Sequence, residues 1–280
     1  DFIEKPVSLV GLLHTVQRAL GELPMAQSLS EIGQRHGAEE SDSVSIAPRI
    51  VTSAEAIRQK TLRKSVVSSG QGLHSGIKTG LILHPLPPNS GILFEGISGD
   101  VSVPAHLDYV GSTGFATSLS HRGFTVATVE HFLAVLHSYG ITNLLVKVQG
   151  EVPILDGSAA EFCELIEEAG LHEQDESWSR IVIDRTYRVG EDGGEWISIE
   201  PAETFSVHYV LKYPKPVGMQ EYMFTHHSPS SFKEEIAPAR TFGFLRDMEK
   251  MQKLGLNNGG KLSNCILIDD EKIVNTDLRF

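Results

Sequence analysis

From about Gln59 onward, Gly and Pro cut the chain into short alternating apolar–polar segments. That punctuation limits the fold to strands and turns with a few helices. Segments 61–67, 78–83 and 92–95 alternate in this way, and Pro85, Pro87 and Pro88 form the densest break. A helix is predicted next. Thr128 is its candidate cap, Val129, Phe132, Leu133 and Leu136 recur at i, i+3, i+4 and i+7, and Gly140 ends it. Segment 143–149 sets Leu144, Val146 and Val148 against Lys147 and Gln149, the pattern of a half-buried strand. Ser158 with Glu161 three residues on predicts a capping box. It would open a second helix with Phe162, Leu165, Ile166 and Ala169 on its apolar face and Gly170 at its end.

The polar stretch 172–179 reads as a boundary, after which the plan repeats in outline. Strands are expected over 180–184, 187–189, 196–200, 205–213 and 264–268, and helices over 231–236 and 244–254. The chain is therefore read as α+β, with two similar domains over 59–176 and 177–280. Upstream, 1–20 reads as the end of a strand and a helix carrying Leu9, Leu12, Leu13, Val16 and Leu20. Segment 21–58 reads as a linker, because the Ser, Gly, Glu and Gln of 28–48 offer too little apolar surface to offset the entropy of ordering. The start at Asp1 and the stop at Phe280 read as an excerpt from a longer protein.

Composition narrows the function. The 280 residues are 40% hydrophobic and 21% charged, which excludes a largely disordered chain. No run of about 18 uncharged apolar residues is present, so no membrane-spanning helix is expected. Lysine and arginine number 24 against 36 acidic residues, a net charge of −12. Phosphate-backbone binding needs a basic surface, so nucleic acid is excluded as a partner. Cys163 and Cys265 form no CxxC pair and fit a reducing cytoplasm.

Four places could carry chemistry. Glu130-His131 follows Thr128: an imidazole can hold a metal while a neighbouring carboxylate takes a proton from water, or the pair is a surface acid beside a packed histidine. In 239–244 (Ala-Arg-Thr-Phe-Gly-Phe), the Thr241 hydroxyl can donate to a developing oxyanion, or it caps a helix over a phenylalanine core. Segment 70–76, with three glycines around His74, is either a hairpin turn or the edge of a cleft. Segment 151–159 (Glu-Val-Pro-Ile-Leu-Asp-Gly-Ser-Ala) is by itself a turn feeding a helix.

Taken in order, Gln59-Lys60-Thr61-Leu62, Gly72-Leu73-His74-Ser75-Gly76, Thr128-Val129-Glu130-His131, Gly140-Ile141-Thr142-Asn143, residues 152–159 and residues 239–244 closely resemble the UDP-3-O-acyl-N-acetylglucosamine deacetylases of lipid A biosynthesis. The resemblance runs from about Gln59 to Phe280. It implies two α+β domains, each a sheet with a pair of helices, and an active site between them. It implies zinc-dependent hydrolysis of the N-acetyl group of a UDP-linked, 3-O-acylated glucosamine in the cytoplasm. Glu130 resembles the general base, His131 a zinc ligand and Thr241 the oxyanion donor. Leu73, His74, Phe242 and Phe244 resemble substrate-cleft residues, and 246–262 the acyl-chain passage. In that passage Asn257, Asn258 and Lys261 replace smaller or more apolar residues, and Gly114 replaces a larger cleft-side group.

The same resemblance places the other two zinc ligands, and elements that finish the second domain, beyond Phe280, so the 280-residue chain alone is expected to be inactive, with Ile266 and Ile268 more exposed than in the whole enzyme. Residues 1–6 with the following helix resemble the end of a response-regulator receiver domain, with Lys5 in the place of its phosphate-pairing lysine, implying phosphorelay input. A metal-free regulatory or binding module derived from the deacetylase is the alternative function.

Overall fold

The structure, a computed structural model, describes residues 50–51, 57–178, 180–190 and 194–280. The receiver-like segment 1–20 and most of the expected linker lie outside the described residues. Within that linker, Ile50–Val51 pairs antiparallel with Arg180–Ile181.

Among the described residues, the fold is a mixed α+β arrangement of several sheets and four α-helices. Its centre is a five-stranded sheet of β1 (Val66–Gln71), β2 (Lys78–Pro85), β3 (Ile92–Glu95), β4 (Ser102–Pro104) and β5 (Leu144–Val148). The spatial order is β1-β2-β5-β3-β4, with β3 and β5 parallel and the other pairs antiparallel. The period-2 pattern turns Leu81, Leu83, Phe94, Val103, Leu144, Val146 and Val148 to the core, all wholly buried. On β3 and β5, Glu95 and Lys147 form an ion pair at 3.3 Å.

Helices α1 (Glu130–Tyr139) and α2 (Ala160–Ala169) belong to the same core. Phe132 and Phe162 meet edge to face at 5.4 Å, and Phe94 meets Phe132 at 6.5 Å. Each such buried ring contributes about 1.5–3 kcal/mol of transfer free energy. Gly140 closes α1 in the left-handed region, φ +68°, as the sequence predicts. The N-termini differ from expectation. Thr128 is not the cap of α1; Val129 holds that position with no side-chain cap, and the Thr128 hydroxyl donates to Glu151 instead. Nor does Ser158 make a capping box with Glu161: Ala159 is the cap of α2, and the Ser158 hydroxyl is shared between the Ala160 amide and Asp156. A capping box does open α3 (Pro229–Glu235), where Ser228 and Ser231 exchange amide-to-hydroxyl bonds.

The polar stretch 172–179 is not simply a boundary. Leu171–Ser177 is a strand paired with Arg58–Leu62. Its residues are mostly exposed, but Gln174 turns inward to a buried amide network. Asn143 Nδ2 donates to Gln59 and Gln174 at 2.7 Å each, and its Oδ1 accepts from the Gly91 amide at 2.9 Å. Gln174 donates to the Leu86 carbonyl. Removing the Asn143 side chain leaves several buried groups unpaired. Asn143→Ala is expected to cost about 2–4 kcal/mol, read as a lower midpoint in urea unfolding.

Beyond residue 180, the strand pairs Tyr187–Gly190 with Trp196–Ile199 and Ser206–Lys212 with Met219–Thr225 form two antiparallel ribbons. Phe224, Phe232 and Ala237 join the first core. Phe242–Phe244 and Ile266–Ile268 pair in parallel, and α4 (Leu245–Lys253) lies between them in sequence. This pairing buries a second cluster of Tyr213, Val217, Phe244, Ile266 and Ile268. The expected extra exposure of Ile266 and Ile268 is not seen: they are 5% and 0% exposed, because the parallel partner and Tyr213 cover them.

Candidate active site

Glu151 sits where three of the sequence motifs meet. It is 4% exposed. One carboxylate oxygen accepts from the His74 amide at 2.9 Å and the Thr128 hydroxyl at 3.0 Å, and the other from the Ser75 amide at 2.9 Å. Burial pushes its carboxyl up, but the bonds from His74, Ser75 and Thr128 outweigh that and hold it below the usual carboxylate range. The carboxylate fills the space beside Gly72, where a Cβ would collide with it and with Ser75 Oγ.

Glu130 and His131 open α1, two and three residues after Thr128, and both are half-buried. A Glu130 oxygen accepts from the Thr117 amide at 3.3 Å, which orients the carboxylate. The first turn of α1 is also where its unpaired amides favour negative charge.

Leu73 and His74 are buried on the glycine loop. Their carbonyls accept from Gly259 at 2.9 Å and Asn258 at 3.1 Å, so segment 257–260 lies against the loop. Asn257 is left-handed, φ +58°, which asparagine tolerates better than an apolar side chain does. The turn at 154–157 is joined to β1 by the Ile154 amide on the Gln71 carbonyl at 3.0 Å.

Thr241 is 8% exposed. Its amide donates to the Gly157 carbonyl at 2.8 Å, and its carbonyl accepts from Ile266 at 2.9 Å. It caps no helix; Phe244 occupies the cap position of α4, and Thr241 instead leads the short strand Phe242–Phe244. Arg240 pairs with Asp156 at 3.3 Å. Phe244 is buried against Tyr213, 5.7 Å between centroids, and half-buried Phe242 meets the same ring at 5.6 Å. Gly114 faces open space, with nothing within 4 Å of an added Cβ.

Backbone hydrogen bonds thus gather the His74 loop, the start of α1, the 151–157 turn, Thr241 and 257–260 into one continuous region. Phe244 belongs to the second core. A polar cleft of about 790 Å³ flanks the region, lined by Gln71, Lys78, Leu155, Asp156, Lys261 and Asn264 among others; Glu130, His131 and Thr241 do not line it. Sequence reasoning missed Glu151 as a buried acid. The available signal was its place between a strand end and the apolar Val152-Pro153-Ile154, an expensive setting for a carboxylate without donors.

Among the described residues, no three His, Cys, Asp or Glu side chains come together to hold a metal. None of the described helices is long and apolar enough to cross a membrane.

A family model for UDP-3-O-acyl N-acetylglycosamine deacetylase matches residues 59–280. The UDP-3-O-acyl-N-acetylglucosamine deacetylase of Nautilia profundicola is 40% identical over 226 residues, 80% of this chain and 77% of the relative. That of Myxococcus xanthus is 43% identical over 226 residues, 79% of this chain and 72% of the relative. That of Legionella pneumophila (strain Corby) is 40% identical over 230 residues, covering 80% and 75%.

Proposed function

The chain belongs to the UDP-3-O-acyl N-acetylglycosamine deacetylase family, and we propose that the protein is a cytoplasmic hydrolase that removes the N-acetyl group of a UDP-linked, 3-O-acylated glucosamine. The observation that carries the reading is local. Glu130 and His131 open α1 two and three residues after a turn that Glu151 ties to the His74 loop.

In this reading Glu130 is the general base. Its carboxylate is half-buried and already oriented by the Thr117 amide, so it meets a water without first being ordered. The Thr241 hydroxyl donates to the oxygen of the tetrahedral intermediate, and the bonds to the Gly157 carbonyl and from the Ile266 amide fix the backbone that carries it. By the resemblance, Leu73, His74 and Phe242 contact the substrate, although none of them lines the polar cleft described above. Phe244 supports Phe242 from the second core, and 246–262 borders the acyl chain. The two halves, 59–176 and 177–280, act as two domains with the site between them.

The zinc implied by the resemblance would take His131 as one ligand. The described residues do not fit a whole metal site, since no group of three such side chains forms among them. The 280-residue chain on its own is therefore expected to retain well under one zinc per chain after dialysis and to release no acetate. The function itself is tested in the natural-length protein by acetate release from the UDP-linked, acylated N-acetyl sugar. Release that disappears in Thr241→Val supports the reading. A folded natural-length protein that binds the nucleotide sugar and releases none supports the regulatory module instead.

A further inference from the structure

We propose that Glu151 is a positioning residue of the hydrolytic site: one buried carboxylate that sets the His74 loop and the entry to Glu130 and His131 in a single register. The inference rests on the hydrolase reading above, but its evidence is geometric.

The entry to α1 has an unusual backbone. Thr128 is β-branched and lies at φ +59°, a region such residues avoid, and conformations of this kind persist only when their surroundings over-determine them. The helix that follows has no side-chain cap, so its first turn is aimed by this residue and by the backbone around it. Two features hold Thr128 there. The Ala127 amide donates to the Gly150 carbonyl and the Val152 amide to the Ala127 carbonyl, each at 3.0 Å, which lays 150–152 alongside the turn. The Thr128 hydroxyl then donates to Glu151 at 3.0 Å.

The same carboxylate accepts the His74 and Ser75 amides, so its two oxygens are committed to the two segments together. Gly72 leaves the room this requires. A carboxylate suits this place because it accepts from several donors at once, and charge-assisted bonds are about twice as strong as neutral ones. A glutamine there turns an NH2 group toward amides that can only donate. The consequence is positional: without Glu151 the turn at Thr128 relaxes and the first turn of α1 swings relative to the His74 loop.

The test uses the natural-length protein with Glu151→Gln, Thr128→Val, Thr128→Ser and the Glu151→Gln/Thr128→Val pair. Acetate release gives kcat and KM, thermal melting gives the folded fraction, and amide hydrogen exchange reads His74 and Ser75. Glu151→Gln is expected to lower kcat per folded molecule about a hundredfold with KM within about threefold, the signature of misplaced rather than missing groups. Thr128→Val should lose about tenfold, Thr128→Ser should restore the rate, and the pair should be no slower than Glu151→Gln alone, because both act through one contact. A merely structural role would lower the melting temperature and leave kcat per folded molecule unchanged.

If kcat in Glu151→Gln and Thr128→Val stays within about threefold of wild type, the proposal is overturned. Should Glu151→Gln not fold, Thr128→Val decides, since it keeps the carboxylate and both amide donors. Failure of the wild type to release acetate counts against the hydrolase reading and not against this one. In that case amide exchange decides: about tenfold faster exchange at His74 and Ser75 in Glu151→Gln supports the clamp, and unchanged exchange overturns it.

Discussion

Glu130→Gln in the acetate-releasing enzyme is expected to lower kcat about a thousandfold, equivalent to about 4 kcal/mol of transition-state stabilisation. The amide keeps the size of the side chain and the acceptor that Thr117 uses, so the start of α1 is unchanged. What disappears is the capacity to take a proton. KM should move little, since the substituted group removes no contact made equally in ground and transition states. Steady-state acetate release together with a melting curve separates the outcomes. A turnover within about tenfold of wild type would remove Glu130 from the role of base.

A large structural effect is also expected at Gly157, outside the aromatic core. Gly157 lies at φ +88°, and an added Cβ would run into the backbone carbonyl of Asn264. Gly157→Ala therefore meets two penalties: an L side chain in the left-handed region at about 1–2 kcal/mol, and overpacking against main chain at about 1–3 kcal/mol. A loss of about 3 kcal/mol and a fall in melting temperature of about 10 °C are expected. Activity should fall further than stability, because the Gly157 carbonyl holds the Thr241 amide and Asn264 holds the Gly259 carbonyl beside the His74 loop. Gly114→Ala is the control; its added methyl meets open space, and the melting temperature should stay within about 1 °C. An unchanged melting temperature for Gly157→Ala would mean that 257–264 can move away at no cost.

These expectations draw unequally on what the sequence displayed. Elements written in hydrophobic period were plain: residues 92–95 were bounded as observed, β2 and β5 to within two residues, and Gly140 and Gly170 end their helices where predicted. Elements whose pairing surface is polar were hidden. Leu171–Ser177 buries Gln174 through amide hydrogen bonds, and no periodicity scale scores that as a strand. The hairpin of Ser118–His121 and Phe124–Ala127 was also missed: Leu119 and Val126 are its one buried apolar pair, and on the other face Ser120 and Thr125 meet through hydroxyls. At the candidate site, Glu130, His131 and Thr241 were legible as motif residues. Their arrangement was not, because Gly157 and Asn258 act through main-chain bonds that leave no mark in residue type, and the Glu151 carboxylate takes its donors from segments far from it in sequence. The caps failed for a related reason: Thr128 and Ser158 have cap chemistry, but Glu151 claims the Thr128 hydroxyl and the neighbouring Asp156 that of Ser158.

The contact of Leu73 and His74 with Asn258 and Gly259 has a kinetic meaning as well. The two segments come from opposite ends of the described chain and meet through two main-chain bonds. Closing so long a loop carries a large entropy, so contacts of this kind form after local helices and hairpins have done so. They are also among the first to open, since sub-global fluctuations release elements held by few buried groups before the core. The five-stranded sheet with α1 and α2 can thus persist while the cleft dissolves and reforms. Native-state exchange would show this as two tiers of protection, with Gly259 and Asn258 in the lower tier and Val146 and Phe132 in the upper.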